Sequence, residues 1–123
     1  MGFDTALYSR LHAGGVAALV SDRIYPSVAK EGATFPMLVY TLVSAVPSNT
    51  LDGDDGLDNA LVQVDAIAET FTAAKALADA VRALMTSGSD FRCVPQGVGR
   101  AFFDPDAKKH VIQQDYSIWI TAV

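Results

Sequence analysis

Residues Phe35 to Met85 read FPMLVYTLVSAVPSNTLDGDDGLDNALVQVDAIAETFTAAKALADAVRALM, and the spacing of apolar side chains changes twice along them. From Phe35 to Val46 the chain is apolar and rich in Val, Leu and Tyr. That run is too short to cross a bilayer, so a buried strand is expected, with Pro36 at its start where a missing N–H is tolerated. From Ala60 to Glu69, Val62, Val64, Ala66 and Ala68 alternate with Leu61, Gln63, Asp65, Ile67 and Glu69, the pattern of a strand with one buried side. The two runs are expected to pair as an antiparallel hairpin. Between them SNTLDGDDGLDN supplies the Asn, Asp and Gly residues that a reversal uses, and it reads as a turn. Past Glu69 the period becomes helical. Phe71, Ala74, Leu77, Ala78, Val81, Leu84 and Met85 recur every three or four residues, with Thr70 or Thr72 as N-cap and Gly88 at the C-terminal cap. Lys75, Asp79 and Arg82 fall on the outer side of that helix.

Outward from this unit, Asp4 to Ala13 reads as a helix with Leu7, Tyr8 and Leu11 on one face, Arg10 and His12 away from it, and Gly14 and Gly15 ending it. Arg23, Ile24 and Tyr25 begin a short strand that Pro26 confines to an edge or a terminus. Phe91 to Val98 alternates weakly, Gly97 and Gly99 suggest a bulge, and a second turn is expected around Asp104, Pro105 and Asp106. Ile112, Gln114, Tyr116, Ile118 and Ile120 alternate with Val111, Gln113, Asp115, Ser117 and Trp119 in a final strand. The expected fold is α+β, one domain over residues 1–123. It has an antiparallel sheet of about four strands, one long helix packed on one face and a short N-terminal helix.

The chain has 123 residues, of which 50% are hydrophobic and 19% charged, with a formal net charge of −5. One core fits this length, and the acidic balance argues against a general nucleic-acid binder. A lone Cys93 excludes an internal disulfide, and the start has an early Asp4 and no apolar signal core. The acidic run fails as a calcium loop of the EF-hand type. Counting from Asp52 puts Gly56 at position 5, Leu57 at 6 and Gln63 at 12, where ligands, glycine and glutamate are needed. His110 and Asp115 point to opposite faces of a regular strand, no nucleophile motif surrounds Cys93 or any serine, and no phosphate-binding glycine loop occurs. No catalytic residue, metal ligand or cofactor site is expected.

The order of several pieces resembles a known family. Arg23 to Pro26, Pro36 to Tyr40, Leu51 to Gly53, Val62 to Asp65 and Ala74 to Val81 look like the conserved segments of the tail completion, or tail terminator, proteins of long-tailed bacteriophages. The resemblance spans about two thirds of the chain, and Lys30 departs from it, standing where the family more often has a small or polar residue. It implies a structural, non-enzymatic virion protein that acts at the head-tail junction and is assembled in the host cytoplasm. Such a protein forms a hexameric ring on the head-proximal end of the tail tube, ends the tube and joins tail to head. The implied partners are copies of itself, the major tail tube protein and a head-tail connector or stopper protein, with DNA passing transiently through the lumen and no membrane. The outer strand positions Leu61, Ile67, Val111 and Trp119 are too apolar for a face that meets only water, so together with Asp54 and Asp55 they are the expected interface. Arg92, Arg100, Lys108 and Lys109 make a locally basic segment that would face the lumen of such a ring. The competing expectation is a small ligand-binding or enzymatic α+β domain with a pocket between helix and sheet.

Overall fold

A computed structural model of the chain describes residues 7, 9–12, 14–20, 23–26, 32, 34–50, 53–87 and 92–120. Five strands run β1 (Ile24–Pro26), β2 (Met37–Thr50), β3 (Gly53–Ala68), β4 (Arg92–Asp104) and β5 (Lys109–Ile120), in sheet order β1-β2-β3-β5-β4. Helix α1 (Gly14–Val20) precedes the sheet and α2 (Phe71–Ser87) crosses from β3 to β4. Residues 7 and 9–11 are also helical.

Alternation along β3 sets the layering. Ala60, Val62, Val64 and Ala66 are at most 3% exposed and join Leu38, Tyr40, Tyr116 and Ile118 in one apolar layer. Onto it pack Leu7, Leu11, Val16 and Val20 from the N-terminal helices, and Leu77, Val81 and Met85 from α2. All the described helices therefore lie on one face. Thr70 caps α2, its Oγ accepting from the Ala73 amide at 3.1 Å, which satisfies one of the amides a helix start leaves without a partner. At the other end Arg10, only 5% exposed, donates to the Met85 carbonyl at 2.8 Å. A cation there complements the negative end of the helix dipole.

Several expectations are corrected. The sheet is mixed rather than antiparallel, because β1 runs parallel to β2 in the register Ile24↔Leu38 and Tyr25↔Val39. Three residues ending in proline carry no signal of direction. Their orientation is set by tertiary contacts, in which the Leu38 amide donates to the Arg23 carbonyl at 3.0 Å and Arg23 Nε to the Pro36 carbonyl at 2.9 Å. There are five described strands rather than about four, and the long strands outrun their expected ends. The stretch read as a turn is mostly ladder: β2 and β3 stay paired out to Ser48↔Leu57 and Thr50↔Gly53. The register slips between Ser48↔Leu57 and Asn49↔Asp54, so Asp55 and Gly56 form a bulge within the stretch expected to be all turn. Gly14 and Gly15 open a second helix after the turn at His12, and Arg10 is buried. Expectations placed on Tyr8, Gly88, Leu51 and Asp52 lie outside the described residues.

Candidate assembly surface

Because opposed residues in an antiparallel ladder share a face, the register defines the second face of the sheet as cross-strand rows. At one end Met37, Ile67, Val111 and Phe102 lie side by side. The next rows are polar: Asp65, Gln113 and Arg100 beside Val39, then Thr41, Gln63, Asp115 and Gln96. Beyond them come Leu61, Ser117 and Val94, and finally Asn59, Trp119 and Arg92. None of the described helices covers this face.

The expected interface residues Leu61, Ile67, Val111 and Trp119 are thus brought to one face. They are not equally available. Val111 is 6% exposed, whereas Leu61, Ile67 and Trp119 are half-buried. Sequence reasoning missed Phe102 and Val94, which are 42% and 36% exposed on the same face. Phe102 was hidden because β4 was expected to end at Val98, whereas the ladder resumes at Arg100↔Gln113 after a bulge; Val94 lies within the expected strand, which gave it no interface role. The backbones of Asp54 and Asp55 lie near the far end of β3.

The four basic residues do not form one patch. Arg92 and Arg100 sit on the same open face as the apolar rows, Arg92 5.5 Å from the Trp119 ring and Arg100 5.7 Å from the Phe102 ring. Arg100 also donates to the Gln113 side chain. Lys108 is exposed in the β4–β5 turn at φ 57, and Lys109 Nζ sits 4.7 Å from the Phe35 ring centroid.

The bulge in β4 is held from the covered face. Five residues of β4, Gln96 to Arg100, span only the three from Asp115 to Gln113 of β5. Gly97 takes φ 72 and the buried Gln114 amide donates to the carbonyls of Gln96 at 3.1 Å and Gly97 at 3.3 Å.

Chemically reactive groups do not converge. His110 lies between the rings of Phe103 (5.0 Å) and Phe71 (6.3 Å) on the helix side, and Asp115 is on the open face. Burial pushes the Cys93 thiol up to about 11, only partly countered by Arg10, so it holds its proton near neutrality. The Asp65 carboxyl is raised by burial, an effect opposed by hydrogen bonds from Gln113 and Gln63 and reinforced by Asp115. Between α2 and the β4–β5 pair a cleft of about 220 Å³ opens to solvent. On its rim Lys75 and Asp79 pair with each other, Lys75 Nζ lying 2.7 Å from the Asp79 carboxylate, and Arg82 also lines it.

Among the described residues the helices cover one face of the sheet and leave the other, of mixed chemistry, without a helix on it. The chain belongs to the family of tail completion protein gp17, whose family model matches residues 5–121. Among solved structures, a chain of the virion of a native gene transfer agent particle matches it with a TM-score of 0.72 at 21% identity. The match covers 97% of this chain and 94% of that one. At that identity the likeness establishes the fold. No curated protein sequence matches the chain. The protein is a structural component of the phage tail type.

Proposed function

We propose that the chain forms a ring, six copies by analogy with the tail tube, on the head-proximal end of the tube, where it ends tube growth and joins the tail to the head connector. The observation that carries this reading is the sheet face that none of the described helices covers, on which Val94 and Phe102 are exposed and Leu61, Ile67 and Trp119 half-buried. A cyclic contact is heterologous, so a second and different patch must meet that face. The β3 segment with Asp54 and Asp55 is the candidate. Lys108 and Lys109, at the β4–β5 turn, are left to approach the lumen and the DNA passing through it. Arg92 and Arg100 belong with the subunit contact, since each lies against an aromatic ring of that surface. The partners of this reading are other copies of the chain, the major tail tube protein and a connector or stopper protein. The chain does no catalysis and takes no metal or cofactor.

Electron microscopy of the purified protein, alone and with its tail tube protein, tests the proposal. The expected result is a six-fold ring seated at one end of each tube, with tube length fixed when the protein is present. Tubes that elongate freely and carry no density at either end would overturn it.

A further inference from the structure

The apolar layer between the helices and the sheet is left open at both flanks. On one flank α2 packs with β3 and β5 residues in the core, and between it and the β4–β5 pair the cleft of about 220 Å³ stays open. Phe71 and Ala78 line it from the helix, Ala101 and Ile112 from the sheet. Phe71 is 50% exposed, and so is Phe103, on the same side of β4 as Ala101. The charged groups that border the cleft, Lys75, Asp79 and Arg82, are exposed on α2. The cleft is smaller than the roughly 300–1,000 Å³ of small-molecule sites and its lining is mainly apolar, so side chains of another protein fit it better than a free ligand.

On the other flank, β1 pairs with β2 only as far as Tyr40, which leaves β2 as the sheet edge from Thr41 onward among the described residues. Leu42 lies opposite the sealed Val62 and so belongs to the helix side, yet it is 42% exposed. Val43 is the extra residue of the bulge between Leu42 and Ser44, has no residue opposite it on β3, and is 53% exposed. Sheet edges are ordinarily guarded by charged side chains as well as by bulges, whereas Thr41, Leu42, Val43 and Ser44 carry no charge. Exposed apolar groups at such a position point to a contact that covers them.

We propose that Leu42 and Val43 of one copy pack into the cleft between α2 and the β4–β5 pair of the next, so that the apolar layers of neighbouring copies join flank to flank. This rests on the ring reading above and adds to it a contact on the helix side of the sheet. The occupant is a second copy because each subunit carries both halves, an uncharged apolar edge and an apolar cleft, at opposite edges of one sheet. Unlike surfaces so placed join copies head to tail. An uncharged occupant also leaves the Lys75–Asp79 pair intact.

Full-length chains with Val43→Glu and with Ala101→Phe test it, each compared with wild type for association alone and on tail tubes. Both positions are exposed, so each variant is expected to melt as wild type does while its association falls by roughly tenfold or more. Cysteine variants locate the contact. Val43→Cys and Ala101→Cys chains, mixed one to one and treated with a short bismaleimide, should cross-link to a dimer that neither forms alone, and one chain carrying both substitutions should give a ladder of covalent oligomers. Wild type, in which Cys93 is the lone cysteine, sets the background. If Val43→Glu or Ala101→Phe does not fold, the cysteine variants decide. Variants that associate as wild type does, or mixed cysteine chains that stay monomeric, overturn the proposal. Cross-linking of Val43→Cys alone to the level of the mixture would mean a symmetric contact between β2 edges, and loss of tube capping with unchanged self-association in Ala101→Phe would assign the cleft to the tube protein; either result refutes it. Wild-type rings on tubes with insensitive variants would leave the ring reading standing without this contact, whereas a wild type that never caps tubes would remove the ring reading itself.

Discussion

The two faces of β3 are built from neighbouring residues of one strand and obey different rules. Toward the helices, Ala60, Val62, Val64 and Ala66 are small or β-branched and nearly sealed from water. Away from them, Leu61, Gln63, Asp65 and Ile67 keep part of their surface and mix aliphatic, amide and carboxylate groups. The first face is selected for close packing, where each methylene counts. The second, without a helix over it, keeps water-compatible groups among its apolar ones.

The strongest way to break this contrast is to place a charge in the sealed layer. Leu77→Asp should abolish cooperative melting by circular dichroism, since a carboxylate would be buried with no partner. Retained melting at an unchanged temperature would mean that α2 does not seal that face. Next comes a matched pair. Ile118→Ala, in the sealed layer, should cost about 2–5 kcal/mol in denaturant unfolding. Ile67→Ala, on the open face, should cost roughly 1 kcal/mol while impairing assembly on tubes. Equal costs would show that the faces are not distinct.

Gln114 is the polar exception within the covered layer. Gln114→Leu leaves the bulge carbonyls of Gln96 and Gly97 without their donor and should cost about 1–3 kcal/mol in urea unfolding. The smallest effect expected is electrostatic and belongs to the open face. Folding raises the Asp65 carboxyl above its unfolded value near 3.8, so the folded state binds the proton more tightly. Stability therefore falls as pH rises through that window and levels off above the folded value. Asp65→Asn should melt higher than wild type at neutral pH and show no such gain near pH 3; a gain of the same size at both would discard burial as the cause.

Much of the covered layer was legible in sequence. The alternation of Val62, Val64, Ala66 and Ala68, and the helical stripe through Ala74, Leu77, Val81 and Met85, match the buried positions. Burial imposes a periodicity that survives without any tertiary information. Phe71 shows its limit, being half-exposed at the N-terminal end of α2, where the helix stripe meets no sealed layer. What escaped depends on partners distant in sequence. Asp-Gly runs disfavour a strand when read alone, yet pairing with β2 draws Gly53 to Asp58 into the ladder. Arg10 looked like a surface residue because its acceptor, the Met85 carbonyl, lies 75 positions away. For the candidate site, the apolar outer positions of β3 and β5 were readable, while Phe102 required the register across a bulge that no local pattern specifies.

Both free edges of the sheet are interrupted. β2 carries a register break between Leu42 and Ser44 with Pro47 beyond it, and β4 carries Pro95 followed by the break between Gln96 and Arg100. Proline withholds a donor and a bulge bends the strand, so neither edge offers a long straight row of amides to an incoming strand. Newly made copies can therefore accumulate at high concentration without zipping edge to edge into fibrils.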